Sequence, residues 1–497
     1  MTLLVLTLLA PLLTAALGAV RTSRKVEEVV ILAGLSVTFG LCLATAWQFL
    51  SGHAPSAFND ALRVDGLSGL VLVLCGFVGL LSAAYGIGYI RRNDARGLVT
   101  AGLRQEWSVL TPVYVFAMLL VSVSNNLGIL WIAVELTTLT SVFLVAYHNS
   151  DTSLEAAWKF LMLGSLGLGF ALLGTVLLFA SARGALGEDL SALHWTQFMK
   201  HATELHPFTL RLGVVFALIG YGTKAGLAPM HTWKPDAYRE APSPAGVMMA
   251  VGMLNAALYC LLRIHLISKA ALGPEFSSGL LLTLGLLSVL VAMPFILIQW
   301  NLKRLLAYSS IEHIGIMAVG IGLGGQAAAF GALLHMTYHT FAKPVAFFSA
   351  GTLAQLHRSS DFAVIGHGTL GRAPIASTLL LLAALFVTGS PPFSLFFSEM
   401  LILRAGFLGS HPLATAVFLA ALVVLFCGFA YQIGRLVLGE QPAATDRAQP
   451  VDRETLDWGV AVTLVAALIA VVSTFYLPGP LMGLIRAAVS VVAGGTS

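Results

Sequence analysis

Charge is scarce in this sequence: Asp, Glu, Lys and Arg together make 10% of its 497 residues, against the ~25% of an ordinary soluble domain. That scarcity excludes a water-soluble globular chain. Cysteine is rare too. Cys42, Cys75, Cys260 and Cys427 stand singly inside apolar segments, with no CxxC pair and no metal-ligand spacing, and read as inert core thiols. No pattern for an iron–sulfur cluster, flavin or nucleotide is present, so no cofactor is expected. The net charge of +4 is too small to call for nucleic acid. No stretch is long and polar enough for a separate soluble domain. The connections 183–206 and 439–457 read as surface segments, the second as the more flexible.

What fills the chain instead is hydrocarbon. Hydrophobic residues make up 58% of it and the mean hydropathy is +0.88. Apolar runs long enough to cross ~30 Å of bilayer recur throughout, none with the ~10-residue alternation of a transmembrane barrel. The expected class is an all-α polytopic membrane protein. Fourteen helices are expected, at 2–20, 27–51, 64–90, 108–124, 125–148, 155–182, 207–230, 242–268, 277–299, 302–324, 327–356, 374–404, 411–438 and 458–485. Basic residues follow the first run and do not precede it, so it reads as an uncleaved helix and not a signal peptide. Lys and Arg fall sixteen to eight between the two alternating sets of loops and flanks, with Lys234 counted among the sixteen and Arg263 among the eight. The positive-inside rule then puts both termini on the outer side.

Two of these runs are interrupted. "GTKAGLAPMH" in the seventh and "GSPPFSLFFSE" in the twelfth place Gly and Pro beside a charge, five helices apart. Interrupted helices in matching halves line ion sites in transporters with internal repeats, because freed main-chain groups need protein or water to satisfy them. Kinks in tightly packed helices would give the same letters.

An ionisable group in a membrane helix costs ~2.5–3.5 kcal/mol on insertion scales, so it is expected to face a cavity or a partner. Glu135, Lys159, Lys224, His313, His335, His339, Lys343 and Glu399 lie inside the apolar runs. His335, His339 and Lys343 follow at steps of four and share one helical face. A proton path suits that stripe, and for either histidine alone so does simple structural hydrogen bonding to neighbouring helices. Zinc does not, since a third ligand and the HExxH pattern are missing. Glu135 and Lys224 are expected to pair, either as a static ion pair or as a relay. Lys159 also suits a snorkelling pair with Glu155 at the interface. Glu312 lies beside His313 near the expected inner end of its helix, where Lys303 and Arg304 read as snorkelling.

"GTKAGLAPMHTWKPDAYREAPSPAGVMMA", "NLKRLLAYSSIEHIG", "HMTYHTFAKPVAFFSAG" and "GSPPFSLFFSEM", in this order, resemble the antiporter-like subunits shared by respiratory complex I, Mrp-type sodium/proton antiporters and membrane-bound hydrogenases. Within that family the wording is most similar to the component F branch of hydrogenase-4. The resemblance implies two inverted five-helix repeats, at 108–270 and 271–438, between N-terminal helices (1–107) and a loop with a last helix (439–497), with helices seven and twelve broken. It implies a proton path through Glu135, Lys159, Lys224, His313, His339 and Glu399. Where many relatives carry a lysine or histidine in the eighth helix, this chain has Asn255. An amide orders water but carries no charge, so water is expected to make the link there.

The expected function is a proton-translocating subunit, without redox chemistry of its own, of a hydrogenase-4/formate-hydrogenlyase-type complex in a bacterial or archaeal cytoplasmic membrane. Its expected partners are other membrane subunits and, through them, a peripheral nickel–iron hydrogenase or related redox module. The alternatives are a subunit of a complex I-like NADH:quinone oxidoreductase or of an Mrp-type antiporter, with sodium as a further ion, and a scaffold whose channel no longer conducts, for which Asn255 is the argument.

Overall fold

A bilayer offers the main chain no water, so apolar runs satisfy their hydrogen bonds internally, as helices. The computed structural model, which describes residues 1–187, 190–440 and 452–494, is built almost wholly this way. Among the described residues ten helices are long and apolar enough to span a membrane, from Arg24–Leu50 to Trp458–Phe475. The shorter apolar helices Thr2–Gly18, Pro374–Val387 and Gly479–Ala493 accompany them, and a small hairpin pairs Ser56–Ala57 with Leu62–Arg63. The protein is a multi-pass membrane protein.

Burial grades from the centre outward. The apolar windows of Ser243–Leu272 and Leu302–Gly322 are 100% buried, while those of Arg24–Leu50 and Pro412–Leu438 are 33% buried and turn side chains such as Trp47 and Val423 outward. Gly325–Leu356 runs for 32 residues through the centre, past an internal proline, Pro344. Cys427 corrects one expectation: it is exposed on the outer face of Pro412–Leu438 and not in the core, unlike the other three cysteines. Neighbouring helices approach closely where glycine removes the side chain. A Cβ on Gly174 would stand 2.5 Å from the Ala217 nitrogen, and one on Gly285 2.7 Å from that of Val319, the small-residue packing that membrane helices use.

Two helices break inside the protein. Pro207–Ala225 stops at Gly226, whose φ of +78° ends the helix without a Cβ penalty, and the chain restarts as Trp233–Glu240. Pro374–Val387 stops before Gly389, φ +62°, and restarts as Ser394–Leu408. These are the interruptions the sequence shows. The expected single helix at 458–485 is instead two, Trp458–Phe475 and Gly479–Ala493. Pro478 disfavours helix in the residue before it, and Pro480 suits the first turn of a new one. Of the connection expected to be flexible, residues 441–451, Arg447 among them, lie outside the described residues.

Candidate functional site: a buried line of ionisable side chains

The first break exposes helix-end carbonyls in the protein interior, and side chains from beyond the break bond to them. The Trp233 indole donates to the Thr223 carbonyl at 2.9 Å and the Lys234 amine to that of Ala225 at 2.6 Å. The Ala228 N–H donates to Ser288 Oγ at 2.8 Å. A cation at this end also meets the negative pole of the helix. Lys224, in the last turn, is 1% exposed. Its amine donates to Thr138 Oγ1 at 2.9 Å and stands 4.9 Å from the centre of the Phe160 ring.

Glu135 lies one turn before Thr138 on the same helix, Leu127–Val145, half-buried, with Oε2 lacking a hydrogen-bond partner. It is in electrostatic reach of Lys224, but the two form no direct ion pair, and the amine bonds Thr138 instead. Lys159 is placed elsewhere. Its amine is 2.6 Å from Glu155 and 3.4 Å from Asp236, with about half its side chain exposed (47%). Of the two expectations for Lys159, the geometry is that of the surface pair.

Asn255 is fully buried and donates to Thr340 Oγ1 at 2.9 Å, while its own Oδ1 has no partner among the described residues. A π-helical stretch, Met248–Met253, ends two residues before it, a local expansion common at functional sites. His335, His339 and Lys343 are fully buried on Gly325–Leu356. His335 is bonded on both sides, to His313 Nδ1 at 3.0 Å and to Ser398 Oγ at 2.9 Å. The stripe therefore faces Leu302–Gly322, which carries His313 and Ser309, and at His335 also Ser394–Leu408, which carries Glu399. The His339 ring lies tilted against that of His313, ring centres 4.7 Å and planes 56° apart, and neither of its nitrogens has a partner among the described residues. Lys343 donates to Ser309 Oγ at 2.9 Å. Glu399 is 8% exposed, and its carboxylate lies directly over Gly389 in the second break.

Four groups escaped the sequence reading. Lys234, counted there as a loop charge, is 0% exposed, and so is Arg263. Arg263 Nη2 meets Asp65 at 2.7 Å, and its guanidinium lies 4.0 Å and 4.6 Å from the Trp195 and Tyr259 ring centres. Glu312, 6% exposed, acts electrostatically on Lys343 and on Glu399. Its depth was countable: ten residues after Leu302 is about 15 Å of helix. Lys303 does not snorkel. Its amine turns inward to the carbonyls of Arg239, at 3.2 Å, and Ala241, at 2.9 Å. It lines a cavity of about 680 Å³, with Arg96, His148, Ser243 and Gln355. Arg304 pairs with Asp236.

Set against known proteins, residues 124–425 match the family described as NADH:quinone oxidoreductase/Mrp antiporter, TM, a span that holds every group of the buried line. The chain is 36% identical over 377 residues to a hydrogenase-4 component F homolog of Methylacidiphilum infernorum, covering 76% of this chain and 79% of that one. It is 30% identical over 444 residues to NADH-quinone oxidoreductase subunit N of Halorhodospira halophila, covering 88% and 85%. A chain of the Mrp complex from Dietzia sp. DQ12-45-1b superposes with a TM-score of 0.84 at 18% identity, over 99% and 98% of the two chains. At that identity the likeness is one of fold.

Proposed function

The chain belongs to the NADH:quinone oxidoreductase/Mrp antiporter transmembrane family, and from that membership we propose that it is the proton-translocating, antiporter-like membrane subunit of a hydrogenase-4/formate-hydrogenlyase-type respiratory complex. One observation carries the reading: two of the buried lysines rest on neutral hydroxyls, Lys224 on Thr138 and Lys343 on Ser309. A static ion pair would lose its partner whenever its lysine lost a proton. Hydroxyls bond the amine in either state, accepting from the ammonium and donating to the free amine.

In this reading Glu135 tunes the charge of Lys224, and water ordered by Asn255 carries the proton onward. Lys343, Glu312, His339, His313 and His335 pass it towards Glu399. The polar cavity at Lys303 admits water to one end. Lys159 stays outside the path, as an interfacial ion pair. The two broken helices belong to inverted repeats, 108–270 and 271–438, flanked by 1–107 and 439–497. Both termini face the outer side of a bacterial or archaeal cytoplasmic membrane. Other membrane subunits join the chain to a nickel–iron hydrogenase or related module, which supplies all redox chemistry. A second host, a complex I-like NADH:quinone oxidoreductase, is favoured by the likeness to subunit N over 88% of the chain.

Two measurements test this. Purification of the tagged chain from its source in mild detergent should bring hydrogenase activity with it; NADH:quinone activity in its place selects the second host. In inverted vesicles driven by the host's redox reaction, Lys224→Met should abolish proton uptake at normal assembly, since it deletes the charge and keeps an apolar stem. Normal uptake at normal assembly refutes the path.

A further inference from the structure

The short helix Trp233–Glu240 doubles back on the break it follows, and its second residue is a lysine with no exposed surface. The stem of Lys234 crosses Gly226, where a Cβ would stand 2.5 Å from its Cδ. Its amine reaches the carbonyl of Ala225, the residue next to Lys224. That carbonyl engages one of three N–H bonds of an ammonium. A cap on one carbonyl needs only a neutral donor, whereas a buried ammonium carries a large desolvation cost.

Its placement gives that charge a use. Trp233–Glu240 packs against both Asp151–Leu186 and Leu302–Gly322, and so bridges the surroundings of Lys224 and those of Lys343. Trp233 lies on Phe160, ring centres 4.5 Å apart, and Phe160 is the ring beneath the Lys224 amine. On its other side Lys234 is in electrostatic reach of Lys343 and His339. Among the described residues, the direct polar link between the helices of Asn255 and Lys343 is the bond from Asn255 to Thr340, and neither group takes up a charge.

We propose that Lys234 is a switchable amine of the proton line, standing between Lys224 and Lys343 in the role that a charge at position 255 would fill. This rests on the translocating function proposed above. A proton leaves Lys224 Nζ, crosses water and forms an N–H bond on Lys234 Nζ, so one ammonium becomes an amine as the other becomes an ammonium. Repulsion between Lys234 and Lys343 keeps the two from being charged together and sends the proton onward.

The test uses the assembled host complex in inverted vesicles, with Lys224→Met as the reference. Lys234→Met and Lys234→Gln should each lower redox-driven proton uptake at least tenfold while assembly stays normal. Gln still offers an N–H to the Ala225 carbonyl but no titratable charge, so wild-type uptake in Lys234→Gln overturns the proposal in favour of a capping role. Adding Asn255→Lys to Lys234→Met should restore uptake, which a structural defect at 234 would not allow. If Lys224→Met stops uptake and Lys234→Gln does not, this inference alone fails; if neither matters, the translocating function fails with it.

Discussion

Replacing Asp65 by Asn should destabilise the fold by about 3 kcal/mol. Asp65 does two jobs: Oδ1 caps the helix Gly66–Ala95 by accepting from Ser68 N at 2.8 Å, and it is the anion facing Arg263. Asn caps nearly as well as Asp, so the substitution isolates the charge. Removing one partner of a buried ion pair costs about 3–5 kcal/mol because the other charge is left uncompensated. Arg263 keeps its bond to Ser68 Oγ at 3.1 Å and its two aromatic faces, which places the loss at the lower end of that range. Asp65→Ala should lose about 1 kcal/mol more with the cap. In the double variant Asp65→Asn/Arg263→Met no orphaned charge remains, so the double should be more stable than Asp65→Asn alone. The measurement is reversible unfolding of the purified chain in mixed micelles, as a double-mutant cycle. Asp65→Asn within 1 kcal/mol of the parent, or a double that merely adds the two single losses, would refute the reasoning.

Gly389→Ala should act on Glu399 from a distance of one residue contact. Its Cβ would fall on the carboxylate, and φ of +62° adds about 1–2 kcal/mol of strain. The expected outcome is reduced proton uptake with a lower thermal midpoint; unchanged uptake would show that the carboxylate's position does not matter. Ser398→Ala removes the partner of His335 Nδ1 and should cost about 1–3 kcal/mol for an unsatisfied buried group, while Ser398→Thr, which keeps the hydroxyl, should stay near the parent in the same micelle titration.

The fold was largely legible because membrane helices announce themselves by length and apolarity, and the breaks at Gly226 and Gly389 by Gly and Pro beside a charge. The split at Pro478 is equally visible, in the Pro-Gly-Pro of residues 478–480. The site was half legible. Four-residue spacing puts His335, His339 and Lys343 on one face, where His335 meets His313 and Ser398, His339 lies beside His313 and Lys343 bonds Ser309. Spacing along one helix says nothing about which neighbour arrives first, so Thr138 in place of Glu135 as the direct partner of Lys224 had no signal. Lys234 and Arg263 were misread for one reason. Charges near helix ends were assigned to loops by position, and only packing reveals that a helix end is itself buried.

Pro344 has a mechanical consequence. Lacking an N–H, it leaves the Thr340 carbonyl without its main-chain donor, at about the middle of a rod roughly 48 Å long. Thr340 spends its own hydroxyl on the Met336 carbonyl at 2.8 Å. A bend opening at this joint has no 344-to-340 main-chain hydrogen bond to break. His335 and His339 ride on the piece before it, while Lys343 sits on the pivot. Bending at this joint would alter the gap between the Lys343 amine and the two imidazoles, and, in the function proposed above, the distance between neighbouring members of the proton line.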